Sequence, residues 1–519
     1  MQRQLCTFLL GLTTAAMLQA EPLTPEANPL DLAQVVPAAL QQFDTPGMAV
    51  VIIKDGQLVH QAGYGERDIS AQAPVTAETY FRLASASKAF TAASVAILVD
   101  AGKLNWDDKV VQHLPQFRLQ DAWVTAEFTI RDLLSQRSGL ASGAGDSMIW
   151  PEPSGFSRDE VINNLRYLTP LSSFRSQYAY SNVLYITAAE LVAKVSGQPW
   201  QDFVAEQIFQ PLEMQCYAGA VPDSALAEAA LPYEFRAEAG FLPIPRNAID
   251  GKMLMAAAAG GVVCRASDMA KWLSFLLAQA DARTAKAGPV TRQQLQQMWT
   301  AQTLMPVSSL DLELDFTHFS AYGMGWRMAD MHGYKVIHHT GTLSGFQAHV
   351  LLVPEQQLGV VVLNNGSNSG ARQSVVQTVL KHYLAPELQR DWVSYYADQR
   401  QALAKRAAPP QPVGTGEVLL ALQDYAGNYA DQWFGGIEIS QTDSGLRLQS
   451  AKMINLQGSL QPFADHSFIV QWDDANVARN ALIHFEINNL RQVTGFRLEP
   501  YAAEPGERHE YRDMHFYKQ

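Results

Sequence analysis

Phe81-Arg82-Leu83-Ala84-Ser85-Ala86-Ser87-Lys88-Ala89-Phe90-Thr91 contains the one Ser-x-x-Lys of the 519-residue chain. The next residues, Ala92-Ala93-Ser94-Val95-Ala96-Ile97-Leu98-Val99, are apolar on every side. That pattern predicts a helix buried inside a large domain, with Gly102 as its stop. Residues three apart share a helix face, so Ser85 falls in the first turn with the ammonium of Lys88 beside it. A serine hydroxyl is a poor nucleophile until a neighbour takes its proton. A lysine in a dry pocket loses basicity and can take it, directly or through another group. Free N–H groups at the helix start suit a developing oxyanion. A quartet of this kind also arises by chance about once or twice in a chain this long, so its flanks and its partners decide its meaning.

Working outward, Leu30 to Phe43 predicts a short helix. Gly47 to Val59 predicts two strands around a Lys54-Asp55-Gly56 turn, the second continuing through Gly63-Tyr64-Gly65. From about 103 to 300 the pattern is mainly helical: Thr129 caps Ile130-Arg131-Asp132-Leu133-Leu134, and Glu160 to Leu168, Val183 to Ser196 and Ala266 to Ala278 carry helical spacing. Ala256 to Gly261 is a small-residue loop where backbone can approach a neighbour closely. After Tyr322, β-rich runs appear at Lys335 to His339, Phe346 to Val353 and Gly359 to Leu363, and a helix is expected from Gln373 to Leu384. The expected fold class is α+β, with one antiparallel sheet drawn from both ends of the larger domain and flanked by helices. Residues 386–416 read as a polar helical connector and a Pro-rich linker. Residues 417–519 are short alternating strands, which predict a small all-β barrel or sandwich.

Hydrophobic content of 47% against 17% charged marks a globular chain, and a net charge of −13 argues against a nucleic-acid partner. Residues 1–20 read as a secretory signal peptide, with Arg3 in the n-region, an apolar Leu5 to Leu18 and Leu18-Gln19-Ala20 at the cleavage site. No later run is apolar for long enough to predict a transmembrane helix. The expected location is periplasmic or secreted, which divides the chain into 1–20, 21–385, 386–416 and 417–519. Two cysteines then remain, Cys216 and Cys264, and a bridge or two buried free thiols are both open.

Two further constellations lie beyond the Ser85 stretch. Tyr180-Ser181-Asn182 is the one Tyr-x-Asn of the chain, and His338-His339-Thr340-Gly341-Thr342 sits on a strand after Tyr322-Gly323-Met324-Gly325-Trp326. In this order they resemble the serine β-lactamase and penicillin-binding-protein superfamily, and more closely class C β-lactamases and the CubicO-type hydrolases related to them. Ser138-Gly139-Leu140, Pro211-Leu212-Glu213-Met214 and Gly260-Gly261 agree with the resemblance, which covers about 40 to 385. The C-terminal hundred residues, with Tyr425-Ala426-Gly427-Asn428-Tyr429, look like the lipocalin-like domain appended to some of these hydrolases.

The resemblance implies an exported serine hydrolase that cleaves a peptide, amide or ester through an acyl-enzyme on Ser85. Lys88 and Tyr180 would be its catalytic partners, Tyr180 serving as general base with its phenol lowered by the ammonium. Asn182, His339, Thr340, Gly341 and Thr342 would bind substrate, and the main-chain N–H groups of Ser85 and Thr342 would form the oxyanion hole. No cofactor and no metal are implied, the partner is a small-molecule or peptide substrate, and the oligomeric state is open. A true β-lactamase and a catalytically silent cell-wall or peptide-binding protein are the alternatives. Many relatives have lysine where this chain has His339, so a neutral imidazole is expected to turn the site away from β-lactams and to give a pH limb between about 6 and 7.5. Gln136 and Glu213 also depart from the usual phrases, and both read as structural.

Overall fold

The computed structural model describes residues 30–249, 255–405, 413–474, 480–501 and 511–519. The expected signal peptide, and the linker from Ala408 to Pro412, lie outside the described residues. The strand Gly47–Lys54 is apolar at nearly every position because both of its faces are covered. Ala49, Val51 and Ile53 join one core and Met48, Val50 and Ile52 the other. Burial on both faces gives a continuous apolar run instead of an alternating one. The strand pairs on one side with Gln57–Asp68 and on the other with Leu358–Asn364, so the early and late parts of the sequence meet at the centre of the sheet. Phe346–Val353, Tyr334–Leu343, Arg327–Met331, Ser320–Tyr322 and Thr303–Met305 extend it, antiparallel throughout. The expected α+β sheet from both chain ends is present, with three short strands added at one edge.

Helices Lys88–Asp100, Val183–Ser196 and Ala266–Ala280 contribute to one core and Leu32–Gln42 and Ser369–Leu384 to the other. The helix Trp392–Lys405 was expected as a polar connector, yet it buries Trp392, Tyr396 and Ala397 in that second core. Two aromatic anchors on a polar helix are enough to dock it, since each removes a large apolar area from water.

Residues 427–518 form a closed barrel of eight strands. The hairpin Gln457–Asp465 and Ser467–Trp472 completes the ring at one point and His515–Lys518 pairs with Gly427–Asp431 at another. Closure leaves no long open edge. Tyr429, Phe468, Phe485, Phe496 and Phe516 pack in mutual ring contacts, so side chains fill the interior as in other small barrels. It docks on the helical layer through Gly155 N to Lys452 O at 2.8 Å, Asn164 Nδ2 to Trp433 O at 2.7 Å and the rings of Phe156 and Phe434.

Cys216 and Cys264 form a disulfide. Cys264 lies on the short strand Val263–Arg265, which pairs with Tyr80–Arg82, so the bridge braces the segment leading into Ser85. Among the described residues, no helix is long and apolar enough to cross a membrane.

Candidate active site

Ser85 sits in a tight 3-10 turn, Ala84–Ser87, that passes directly into the helix Lys88–Asp100. Ala84, just before Ser85, holds φ at +46°, a left-handed conformation that costs a side-chain-bearing residue of order 1 kcal/mol or more. Gly260 and Gly341 close in on this turn from two sides. A Cβ on Gly341 would stand 2.1 Å from Leu83 O, so only glycine lets the strand Tyr334–Leu343 cross so close to the turn.

Lys88 is fully buried, with 0% of its surface exposed. Its Nζ donates to Asn182 Oδ1 and to Ala259 O, each at 2.7 Å, and lies 3.3 Å from Ser85 Oγ. The small-residue stretch expected as a loop is instead one turn of π-helix, Ala257–Gly261, whose backbone reaches the lysine, and Ala258 O also accepts from Thr91. Burial lowers the Lys88 ammonium to about 7, helped by Arg327 and opposed by Asp146. A neutral amine has two hydrogens and one lone pair. Asn182 and Ala259 take the two hydrogens, which leaves the lone pair for the Ser85 hydroxyl.

Asn182 is oriented in turn by Asp146, whose Oδ2 accepts from Asn182 Nδ2 at 2.8 Å. That bond fixes which end of the amide faces the lysine. Tyr180 is held by the segment 136–143: its N–H donates to Ser142 Oγ at 3.0 Å and its carbonyl accepts from Gly143 N at 2.8 Å. Gln136 anchors the neighbouring residues, accepting from Ser181 N at 2.6 Å and, through its backbone, from Ala179 N. Gln136 is thus a structural clamp on the Tyr180 loop. Glu213 holds φ at +54°, a left-handed conformation that glycine adopts without steric cost.

The ring of Tyr180 lies 4.7 Å from Lys88 Nζ and its hydroxyl is buried without a full hydrogen bond. Burial raises this phenol well above 10, and nearby Tyr322 adds to the rise, while Ser85 works the other way. The expected lowering by the ammonium is not met, because desolvation of a phenolate outweighs one neighbouring charge. Tyr180 is a neutral phenol here, and the group whose charge changes near neutrality is Lys88.

His339 also differs from expectation. It is 1% exposed and its ring is held on both nitrogens: Nδ1 donates to Thr340 O at 2.8 Å and Nε2 accepts from Tyr322 Oη at 3.0 Å. Burial, then Arg327 and Lys88, lower the imidazole well below 6.5. It stays neutral across the expected range, so a limb between about 6 and 7.5 does not belong to it. Thr342 is exposed beyond Gly341, and Thr340 and Thr342 alternate onto the opposite face from His339.

Sequence reasoning missed Asp146, Arg327, Tyr178 and Tyr322. Arg327 packs 5.9 Å from the Tyr180 ring and donates to Tyr178 Oη at 3.4 Å. Only the Tyr322-Gly323-Met324-Gly325-Trp326 phrase beside it pointed there. The two charges acting on Lys88 are therefore a carboxylate behind Asn182 and a guanidinium behind Tyr180. A surface cavity of about 590 Å³ borders Ser138 and Leu140 and is lined by Trp123, Leu171 and Phe174, but no side chain of the serine–lysine cluster reaches it. Among the described residues, no cluster of three or more His, Cys, Asp or Glu could hold a metal ion.

A family model described as Beta-lactamase matches residues 32–383, and one described as a domain of unknown function matches 415–517. The protein named unguisins hydrolase ungD' of Aspergillus campestris (strain IBT 28561) is 30% identical over 428 residues, 77% of this chain and 75% of that one. Protein flp of Staphylococcus aureus (strain NCTC 8325 / PS 47) is 24% identical over 331 residues, 63% of this chain and 61% of that one. Among solved structures, the octameric penicillin-binding protein homologue from Pyrococcus abyssi aligns with a TM-score of 0.59 at 20% identity, covering 93% of this chain and 98% of that one. The class C beta lactamase from Rhodobacter sphaeroides aligns at 0.55 and 22% identity, over 68% of this chain and 99% of that one. These structural likenesses bear on the fold.

Proposed function

The chain belongs to the β-lactamase family, and we propose that it is an exported serine hydrolase that cleaves peptide, amide or ester bonds through an acyl-enzyme on Ser85. The observation that carries this reading is the arrangement around Lys88. Its two outer contacts, Asn182 Oδ1 and Ala259 O, consume the hydrogens of a neutral amine and leave its lone pair for Ser85 Oγ at 3.3 Å. With the ammonium lowered to about 7, a large share of the enzyme holds Lys88 neutral at physiological pH.

Lys88 takes the Ser85 proton as Oγ attacks the substrate carbonyl. The carbonyl oxygen becomes an oxyanion, received by the main-chain N–H groups of Ser85 and Thr342. Tyr180, a neutral phenol against both Ser85 and Lys88, passes the proton to the leaving group and is reprotonated by Lys88. Water then repeats the sequence in reverse and frees Ser85. Asn182 and the strand His339–Thr342 flank the acyl group. A silent binding protein has no need of a lysine held in this way. The neutral, buried His339 supports an uncharged acyl or leaving group in place of the carboxylate that lysine would attract. The barrel, docked on the helical layer at Gly155 and Asn164, would narrow the substrates admitted.

The test is a panel of chromogenic esters, D-aminoacyl amides and a cephalosporin, run on wild type and Ser85→Ala, with intact-mass analysis of the stalled enzyme. Ester or amide turnover, an acyl adduct on Ser85 and loss of both in the alanine variant are expected. Cephalosporin turnover as efficient as the best ester would favour the β-lactamase alternative. Wild-type activity in Ser85→Ala would end the reading.

A further inference from the structure

Arg372 lies on the helix Ser369–Leu384, on the face of the sheet opposite Ser85, and is 6% exposed. Burying a guanidinium is costly unless its donors are well used. Here the partners are oxygens of the sheet itself and not a carboxylate. One nitrogen, Nη1, donates to Gly341 O at 2.8 Å, to Ala348 O at 3.1 Å and, more loosely, to Thr342 Oγ1 at 3.4 Å. A fixed charge has been placed on the backbone of one particular pair of residues.

The geometry of that pair gives the charge a use. Gly341 and Ala348 are register partners in neighbouring strands. Two carbonyl oxygens of such a pair can share one nitrogen only when both point inward, between the strands. Gly341 C=O therefore faces the strand Phe346–Val353. A trans peptide sends its N–H the opposite way from its C=O. The N–H of the same peptide group belongs to Thr342, so it points to the other edge of the strand. On that edge the neighbouring strand ends with Arg327 opposite His338, and among the described residues no strand pairs there with Thr340 to Leu343. The turn Leu83–Ala84, immediately before Ser85, packs against Gly341.

We infer that Arg372 is a positioning residue for acyl transfer: by holding Gly341 O it fixes the direction of the 341–342 peptide and polarises its N–H toward the oxyanion. This rests on the oxyanion role proposed above for the Thr342 N–H. A cation on the carbonyl end draws electron density from the amide, which strengthens the N–H as a donor. The effect grows as negative charge develops on the substrate oxygen, so it acts on the transition state more than on substrate binding.

The experiment uses the full chain and an activated ester that stalls as an acyl-enzyme. Wild type, Arg372→Met, Arg372→Lys and Val379→Ala are compared; Val379 is buried on the same helix and serves as the control for destabilisation. In Arg372→Met, kcat is expected to fall about ten- to a hundredfold with KM within about threefold, a fraction of the loss from deleting an oxyanion donor outright. The infrared stretch of the acyl carbonyl on Ser85 should move to higher wavenumber, and Arg372→Lys should recover part of both effects. Val379→Ala should lower thermal stability and leave the carbonyl stretch in place. If wild type forms the acyl-enzyme but Arg372→Met leaves its carbonyl stretch and kcat unchanged, or shifts them no more than Val379→Ala does, the inference about Arg372 is overturned by itself. If wild type forms no adduct on Ser85, the hydrolase reading fails first and this inference with it.

Discussion

Asp146→Asn separates charge from geometry at the proposed base. Asparagine keeps an oxygen that can accept from Asn182 Nδ2, now bonded to Asp146 at 2.8 Å, and removes the negative charge. That charge raises the Lys88 ammonium, so its loss must lower it further. Chaining the 2.7 Å and 2.8 Å bonds through the Asn182 amide puts the carboxylate on the order of 6 Å from Nζ, worth about 2–3 kcal/mol at an effective dielectric near 20. Water and side-chain motion reduce this, so a fall of about one to two pKa units is the working figure at 1.36 kcal/mol per unit. From a starting value of about 7, the acid limb of kcat/KM should move to about pH 5–6. The assay is ester hydrolysis across this range at constant ionic strength, with Ser85→Ala as the background. The variant should be more active relative to its plateau at pH 6 than wild type is. A limb that stays in place, or moves upward, would show that it does not report Lys88.

The disulfide between Cys216 and Cys264 closes a 48-residue separation, and replacing both with alanine should cost about 4 kcal/mol by the loop-entropy relation. Denaturant midpoints measure this, and two free thiols on the unreduced protein would refute the bridge. His339→Gln keeps an acceptor for Tyr322 Oη and removes only a ring that is neutral near pH 7. The acid limb should keep its position in that variant; a limb near pH 6.5 that vanishes with the imidazole would return the titration to His339.

Much of the site was legible because its chemistry is written in short local phrases. Ser85 and Lys88 share a turn, and Tyr180 and Asn182 share a loop, so their order along the chain sufficed to pair them. The central strands were legible because Gly47–Lys54 and Leu358–Asn364 are apolar at nearly every position. The sign of the Tyr180 shift was not, because sequence shows the neighbouring ammonium but not the depth of burial that outweighs it. Asp146 and Arg327 act on Lys88 only through the folded arrangement, with no spacing to betray them. The barrel could not be told from a sandwich because closure depends on His515–Lys518 returning to Gly427–Asp431, a pairing between the two ends of that domain. The helix Trp392–Lys405 misled for a different reason: its polar composition concealed Trp392 and Tyr396, which dock it.

The seam at the middle of the large sheet has a consequence for how the protein is made. Met48 pairs with Asn364, and Lys54 with Leu358. A ribosome adds about 5–20 residues each second, so roughly 300 intervening residues keep this seam open for about 15 to 60 s. During that time the strand Gly47–Lys54 has apolar faces and one edge with no partner, a surface that a holding chaperone can bind and that another nascent chain can misuse. The same delay governs the chemistry. Ser85 and Lys88 emerge early, but Asn182, Ala259 and Gly341 come later in that order, and each seats the lysine or presses on the Ser85 turn. An unfinished chain therefore carries Ser85 without its seated lysine or the strand that crosses its turn, and the proposed acyl-transfer site is assembled only with the closing of the sheet.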